Sequence, residues 1–280
     1  MREVTHKIFL LSSFLILLSS CEEIVEVELD NADPQIVISA VITEKGHQSS
    51  VNVSKSRDFN SEVVFDYKQY ERNYKVVIIN PNGDSILFTD FDPPYHNWDF
   101  VAIPETEYSI CVTYNSITYE ATSYFPKPIS IKELKVKKKK NHITDKSYYE
   151  LHCFFQDHPG IEDFAKLSVS IKGKRLNQIF TYNDRLTDGN LIDYAEFYFE
   201  EEHQIQPGDE ITVHLVTIDE INYKYFETLK SAIASSGGIP INQMTPSNPV
   251  SNWSNGALGY FSACSRDYKS IVVQDPNTKD

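Results

Sequence analysis

The feature of this sequence that most limits its fold is a succession of short runs in which apolar and polar residues alternate. These runs recur from Ile36 to Val273, and residues that favour turns separate them. Alternation with a period of two places successive side chains on opposite faces of a β-strand, whereas an α-helix repeats every 3.6 residues. Short strands at this spacing are typical of β-sandwiches, so the sequence predicts a mainly β protein.

Two hairpins are the clearest local predictions. One spans residues 74–88 around Asn82-Gly83, where glycine supplies the positive φ of a tight turn. The other spans residues 107–124 around Asn115-Ser116. Together with the runs before them, they predict an N-terminal β-sandwich over residues 34–126, of the immunoglobulin-like or transthyretin-like kind.

The strand pattern breaks at Phe125-Pro126-Lys127-Pro128. Two prolines that flank one lysine favour an extended connector, so we place a domain boundary here. Strand signals resume in residues 127–280, where a segment near residues 223–235 has apolar residues at the spacing of a helix face. The predicted fold is therefore mainly β, with two β-sandwich-like domains, the second of which carries one amphipathic helix.

The N-terminus has the organisation of an export signal. Basic residues precede an apolar run, Ile8–Leu18, that is shorter than the ~20 residues a membrane-spanning helix needs. Leu18-Ser19-Ser20-Cys21 then resembles a bacterial lipobox, whose cysteine is acylated and becomes the first residue of the mature protein. The pattern predicts a signal peptide at residues 1–20 and a lipid on Cys21. The alternative is an ordinary secretory signal with a chance cysteine.

Acidic residues follow Cys21 directly and form a predicted tether over residues 21–33. An acidic stretch at this position resembles the surface-export signal of Bacteroidetes-type lipoproteins. The alternative is a solvated tether whose charge keeps the chain off the anionic membrane surface. We therefore expect a lipid-anchored outer-membrane protein, and whether it faces the cell surface or the periplasm stays open.

The charge balance excludes one class of partner. The chain has 26 Lys+Arg against 40 Asp+Glu, and its formal net charge is −14. Non-specific binding of nucleic acid needs surplus positive charge, so we expect no nucleic-acid partner. The run Lys137–Lys140 is a local exception, interpreted either as a contact for phosphate or acidic glycan or as a solvated hairpin tip.

Four motifs carry a family resemblance. They are Cys21-Glu22-Glu23, Asn183 to Gly189, Asp219 to Phe226 and Ser251 to Ala263, and the last is the most specific. Together they resemble the Bacteroidetes lipoproteins grouped as domain of unknown function 4249. The resemblance implies an outer-membrane lipoprotein, often found beside TonB-dependent receptors. It implies no catalytic residue, because the family has no assigned activity.

No motif in the sequence supplies catalytic or metal chemistry. There is no His-Glu-x-x-His, Cys-x-x-Cys or Gly-x-Ser-x-Gly segment. We therefore expect no catalytic residue, no cofactor and no metal. An irregular calcium loop over Asp184–Asp193 stays open, although Asp and Asn also suit a plain turn. A carboxylate pair of a glycoside hydrolase and a Cys153–Cys264 disulfide stay open too.

Aromatic residues in polar loops supply a binding hypothesis. Tyr95 and Trp98 lie in a Pro-rich stretch, and Trp253 and Tyr260 lie in the last family motif. Exposed aromatic side chains stack on sugars or fill pockets of a partner, so these four residues form a candidate contact surface. The alternative is that both tryptophans pack in the core.

These observations favour a non-catalytic binding or accessory module of the outer membrane that serves a TonB-dependent transport system. The expected partners are the membrane, through the lipid, and a TonB-dependent receptor. A structural or adhesive envelope protein is the alternative, and an unrecognised hydrolase is the second alternative.

The Cys21→Ser variant tests the anchor. We expect it to lose its acyl label and to leave the membrane fraction, because each buried methylene of an acyl chain contributes ~0.8 kcal/mol to membrane binding. Labelling with radioactive palmitate, followed by fractionation, measures both effects. Cys111→Ser is the matched control and keeps the label. Unchanged labelling of the Cys21 variant would contradict the lipobox interpretation.

Overall fold

A computed structural model describes most of the chain that follows the predicted tether. The described residues are 33–56, 70–88, 94–97, 99–143, 145–185, 188–200, 205–236 and 248–274. The predicted signal peptide and Cys21 lie outside these ranges. Within them, no helix is long and apolar enough to cross a membrane.

The described residues form fifteen strands, one α-helix and one short 3₁₀ turn, so the mainly β prediction is confirmed. The first six strands are β1 (Ile36–Ile42), β2 (Ser50–Lys55), β3 (Lys75–Ile79), β4 (Ser85–Phe88), β5 (Thr106–Tyr114) and β6 (Ile117–Phe125). They are followed by β7 (Ile131–Lys140), β8 (Ser147–Gln156), β9 (Phe164–Ile171), β10 (Lys174–Arg175), β11 (Phe180–Asn183), β12 (Leu191–Glu200) and β13 (Glu210–Ile218). The helix α1 (Glu220–Ser236) and the strands β14 (Leu258–Ala263) and β15 (Ser265–Val272) complete the chain.

The strands form four sheets around two main cores. The sheets β4-β3-β5-β6 and β14-β1-β2 contribute to the first core, where Ile38, Ile78 and Ile110 are fully buried. The sheets β12-β8-β7 and β10-β9-β13-β15, with β11 paired to β9, contribute to the second core, around Leu151 and Leu167. In each sheet, the residues at alternate positions of the strands fill the core, as the period of two predicts.

Local predictions agree with the structure. Both predicted hairpins are present, as β3–β4 and β5–β6, and Asn115 and Ser116 have the positive φ values of a tight turn. The lysine run lies at the end of β7, where Lys139 pairs with Glu150 and the Nζ of Lys138 lies 5.7 Å from the ring centroid of Tyr149. These contacts favour the interpretation of the run as a solvated hairpin.

Some residues of the predicted second domain pack with the first domain. Strand β14 pairs in parallel with β1, from Val37–Leu258 to Ile42–Ala263. Trp253 and Phe261 belong to the first core, together with residues of β1 to β6. The boundary after residue 126 separates most of the two cores and stays a prediction as a domain division.

A buried polar network holds α1 and β14 against β6. Asp219 precedes the helix, and its Oδ1 accepts the backbone N–H of Asn222 at 3.0 Å, as an N-cap does. Its Oδ2 accepts the hydroxyl of Ser123 at 2.7 Å and the N–H of Tyr124 at 2.9 Å. The amide of Asn222 donates to the carbonyl of Phe261 at 2.9 Å. The motif residues Asp219 and Asn222 therefore join three elements.

Asn252 acts as a strand partner for β14. Its Oδ1 accepts the N–H of Phe261 and its Nδ2 donates to the Phe261 carbonyl, both at 2.9 Å. The same Nδ2 donates to the carbonyl of Thr122 in β6 at 3.0 Å. The side-chain amide thus pairs both backbone groups of Phe261, which a buried strand must satisfy.

The pairing of β1 with β14 requires a glycine at position 259. Gly259 has a φ of +92°, and a Cβ there would lie 2.2 Å from the carbonyl oxygen of Ile38. That carbonyl also accepts the indole N–H of Trp253 at 3.0 Å. Any side chain at position 259 would therefore collide with backbone at a point where a hydrogen bond is made.

We expect Gly259→Ala to destabilise the fold by at least ~3 kcal/mol, because an unfavourable φ and a backbone collision add together. Gly208→Ala is the matched control. Gly208 has a φ of +93° with open space around it, so the φ term alone should cost about 1–2 kcal/mol. Urea unfolding of both variants measures the difference. Equal losses would show that the close approach to Ile38 is not a constraint.

Candidate functional site

The outer face of the sheet β10-β9-β13-β15 is polar at its centre. In β9, Ala165, Leu167 and Val169 point into the second core, so Lys166 and Ser168 point the other way. Strand β13 alternates in the same register and places His214 and Val216 on this outer face. The same period of two that builds the core therefore also builds this face.

Strand register brings two cations into one row. Val216 of β13 is opposite Lys166 of β9 on one side and opposite Arg266 of β15 on the other. The Cα atoms of Lys166 and Arg266 are therefore roughly 10 Å apart, two strand spacings. Arg175 of β10 adds a third cation, and its Nη2 donates to the Oγ of Ser168 at 2.6 Å.

The helix α1 and strand β14 cover part of this face and leave a pocket of about 380 Å³. Phe226 of α1 and Tyr260 of β14 are packed together, with ring centroids 5.1 Å apart. This volume lies in the range of small-ligand sites. The pocket is lined by Val41, Gln48, Lys166, Arg175, His214, Leu215, Val216, Ile218, Phe226, Tyr260, Ser262, Cys264, Arg266, Asp267 and Tyr268.

The electrostatics of the pocket centre on Lys166. Burial, together with the smaller effect of the positive charges of Arg175 and Arg266, lowers the pKa of its ammonium group to about 8. Its Nζ lies 4.2 Å from the ring centroid of Phe226, a contact that favours the charged form. At neutral pH Lys166 is still a cation, but its charge is poorly solvated and lies near two other positive charges.

Neighbouring groups are held in their neutral forms. Burial, with Arg175 and Arg266, lowers the pKa of His214, whose Nε2 lies 3.3 Å from the Oγ of Ser170. Burial raises the pKa of the Cys264 thiol, and it raises the pKa of Tyr260 to about 12. The charge of the pocket at neutral pH therefore comes from the lysine and the two arginines.

The cations of the pocket are not neutralised by carboxylates of the described chain. Asp267 is the acidic residue of the lining, and its Oδ2 accepts the N–H of Ile131 at 2.7 Å. Glu44 is close enough to raise the pKa of Cys264, a smaller effect than burial. The ion pairs found among the described residues use other cations, including Lys55, Lys135, Lys139, Lys140, Lys172, Arg185, Lys224 and Lys230. The pocket therefore presents net positive charge in an acidic protein.

The residues of the predicted contact surface lie in different environments. Tyr95 stacks on Tyr74 with ring centroids 4.1 Å apart and is 9% exposed, and Trp253 is 6% exposed. Both residues therefore fill the first core, which for Trp253 is the alternative that the sequence left open. Trp98 lies outside the described residues. Tyr260 is half-buried and lines the pocket.

The contacts in the structure also bear on the possible disulfide and on the possible calcium loop. Cys153 and Cys264 are free thiols that belong to different apolar clusters, so the possible disulfide is not formed. The acidic residues of the loop Asp184–Asp193 do not converge. Asp188 accepts the N–H of Gly160 at 2.7 Å, and Asp193 contacts His152 Nδ1 at 2.7 Å.

Sequence reasoning missed Lys166, Arg175, His214 and Arg266 as a group. Their positions could have been read as outward-facing from the alternation of each strand. That these four residues meet in one pocket could not be read from the sequence, because it depends on which strands are neighbours and on the helix that covers them.

The described fold defines a class: a protein of two β cores, with one helix and a cationic pocket on the outer face of a sheet. The chain belongs to the family described as "Domain of unknown function (DUF4249)", whose model matches residues 22–270. No curated protein matches the chain. A two-domain fibronectin type-III segment of chicken tenascin is 14% identical, with a TM-score of 0.19, over 66% of this chain and 91% of that one.

We expect Lys166→Met to stabilise the ligand-free protein by ~2 kcal/mol at pH 7, because methionine removes a desolvated cation and keeps the packing. The folded pKa of Lys166 is lowered to about 8 from 10.5. The wild type therefore bears this destabilisation in full below pH 8 and loses it as the pH rises from 8 to 10.5. Urea unfolding at pH 7 and pH 10 should show the gap between variant and wild type closing. A gap that does not change with pH would contradict the assignment.

Proposed function

We propose that this protein is a non-catalytic, lipid-anchored binding module of the outer membrane, and that the cationic pocket holds an anionic group of its ligand. The observation that carries the proposal is the set of three cations, Lys166, Arg175 and Arg266, that share one pocket without a carboxylate partner among the described residues. An anion from outside the chain would supply the missing charge.

The energetic argument is that an unpaired, desolvated cation destabilises a fold unless a ligand stabilises it. A buried lysine with a lowered pKa is a signal of a functional site when it lies in a cleft. Here the two arginines add repulsion to the desolvation of Lys166. Guanidinium groups bind carboxylate and phosphate in a planar, bidentate manner, which suits either anion.

The ligand class follows from the rest of the lining. Phe226, Tyr260 and Tyr268 give the pocket aromatic walls, and Ser262 gives it a hydroxyl. Aromatic faces beside cations favour a small molecule with both an apolar face and an acidic group. Sugar acids and sugar phosphates meet this description, so we propose an acidic saccharide as the ligand.

The non-catalytic part of the proposal is supported by the state of the nucleophiles. The thiol of Cys264 lies in the pocket, but burial raises its pKa, which disfavours the reactive thiolate. Burial likewise raises the pKa of Cys153 to about 12. Lys166 is the residue to substitute in any test of turnover. Its pKa is lowered, and a nucleophilic lysine must have a lowered pKa to be partly neutral near pH 7.

The membrane role rests on the sequence. A lipid on Cys21 would confine the module to a membrane surface and raise its effective concentration near membrane partners. The family resemblance favours an accessory role for a TonB-dependent transport system. In that role the pocket would hold a ligand before transport.

Calorimetric titration of the mature chain, made soluble by Cys21→Ser, with inorganic phosphate and with glucuronate tests the pocket. We expect binding at pH 7 that weakens at high salt and above pH 8, where Lys166 loses its proton. Lys166→Met and Arg266→Met should each weaken binding at least about ten-fold, which is ~1.4 kcal/mol. Lys166→Met should do so although it stabilises the fold.

Lys224→Met is the matched control. Lys224 is an exposed helix residue paired with Glu220, outside the pocket, and should leave binding unchanged. Binding that survives both pocket variants would contradict the proposal. Multiple turnovers of an acidic glycan would show an enzyme instead. Recovery of a TonB-dependent receptor with the tagged protein would distinguish the accessory role from an adhesive one.

A further inference from the structure

Three aspartates meet at one end of the second core. Asp157 follows β8, Asp163 precedes β9 and Asp184 follows β11. They are 0%, 1% and 3% exposed, so all three carboxylates are removed from water. One carboxylate oxygen from each lies within 4.8 Å of the other two. Buried acidic residues are rare unless they are paired or bind a metal.

Sheet topology explains why residues so far apart in sequence converge. Strands β9 and β11 are antiparallel, with Phe164 opposite Asn183. The residue before β9 and the residue after β11 are therefore neighbours at the same end of the sheet. Strand β8 belongs to the other sheet of this core and ends beside them, which brings Asp157 to the same place.

Two oxygens of this cluster have no hydrogen-bond partner within the described part of the chain. Asp157 Oδ2 accepts the N–H of Gly189 at 2.7 Å, and Asp163 Oδ2 accepts the N–H of His158 at 2.8 Å. Those contacts fix both carboxyl groups. The Oδ1 atoms of Asp157 and Asp163 are left buried and unpartnered. A buried acceptor with no donor is unfavourable, so these two oxygens point to a missing positive group.

The electrostatics support the same conclusion. Burial removes the three carboxyl groups from water, and their like charges repel one another at this separation. Three carboxylates cannot share a dry site without either a proton or a cation between them. Asp163 Oδ2 is also held by the Nδ1 of His158 at 2.9 Å, as outer-shell histidines and backbone groups hold metal-binding carboxylates.

We propose that Asp157, Asp163 and Asp184 bind one calcium ion. Calcium is coordinated by oxygen at 2.3–2.6 Å, so two oxygens of one sphere are at most ~5 Å apart, which suits the separation in this cluster. Magnesium demands near-ideal octahedral geometry and gives up its water reluctantly, so it seldom occupies a buried site made of protein oxygens, and zinc prefers nitrogen and sulfur ligands. The site differs from the calcium loop considered in the sequence and shares only Asp184 with it. It also revises the expectation that the protein uses no metal.

Close packing of the two flanking loops preorganises the site. Gly189, with a φ of +74°, lies so near Pro159 that a Cβ at 189 would be 3.0 Å from the proline Cβ. The N–H of Gly160 donates to Asp188 Oδ1 at 2.7 Å. The loops on either side of the cluster are thus joined to each other, which holds the three carboxylates together when the repulsion between them would separate them.

Thermal unfolding of the mature Cys21→Ser chain in CaCl₂, MgCl₂ or EGTA tests the site. We expect millimolar calcium to raise the melting temperature by about 5 °C relative to EGTA, and magnesium to raise it less. Asp163→Asn should lose the response to calcium. In EGTA the same variant should melt higher than the wild type, because the asparagine amide removes a charge and supplies a donor to the cluster.

Asp145→Asn is the matched control. Asp145 is exposed in the β7–β8 turn with a φ of +58°, which asparagine adopts readily, so this variant should keep the full calcium response. If Asp163→Asn fails to fold, Asp184→Asn and calorimetric titration of the wild type with calcium replace it. The proposal fails if the wild type melts alike in calcium and EGTA, or if magnesium matches calcium. It also fails if the variant keeps the shift, since a shared proton then accounts for the cluster.

Discussion

The contact on which the rest of this structure depends is the parallel pairing of β1 with β14. It joins the beginning of the described chain to its end, and the indole of Trp253 reaches the carbonyl of Ile38 across 215 residues of sequence. The pairing is possible because Gly259 has no side chain where the two backbones meet. Parallel strands need a long crossover between them, and here the crossover is nearly the whole protein.

The polar network follows from this pairing. Once β14 lies beside β1, Asn252 and Asn222 can bind the backbone of Phe261, and Ser123 can accept the N–H of Ala263 at 2.9 Å. Asp219 then links Ser123 to the start of α1. Each of these groups is buried or half-buried, and each hydrogen bond offsets a desolvation that would otherwise be unfavourable. The motif residues Asp219, Asn222 and Asn252 thus contribute to the assembly of the fold.

The same contacts create the pocket. Strand β14 and helix α1 lie over the outer face of β9 and β13 because the network fixes where the helix begins. Tyr260 and Phe226 then cover a face that would otherwise be open to water. Lys166 lies beneath this cover, with its Nζ 4.2 Å from the ring centroid of Phe226, and is desolvated there. The lowered pKa of Lys166 is therefore a consequence of long-range packing.

The sequence predicted local secondary structure, but it did not predict which distant residues the fold brings together. The hairpins β3–β4 and β5–β6 and the helix were predictable, because turn residues and periodicity are local signals. The short strands β10 and β11 were not, since two and four residues give too little pattern. For Trp253 the sequence left a contact surface and core packing open, because the residue lies among Asn and Ser. In the structure those polar side chains bind backbone and the indole packs in the core.

Strand β9 lies beside both proposed sites. Asp163 precedes it by one residue, and Lys166 lies three residues later on the opposite side of the sheet from the second core. In both places the fold holds ionisable groups away from water, and among the described residues Lys166 has no carboxylate partner and the Oδ1 atoms of Asp157 and Asp163 have no hydrogen-bond donor. Natural folds tolerate such groups where they serve a function, because replacing them with neutral residues would otherwise add stability. The two unneutralised clusters have opposite signs, so one ligand cannot satisfy both. The proposed cation for the aspartates and the proposed anion for the lysine and arginines are therefore two separate ligands, at sites that flank the same strand.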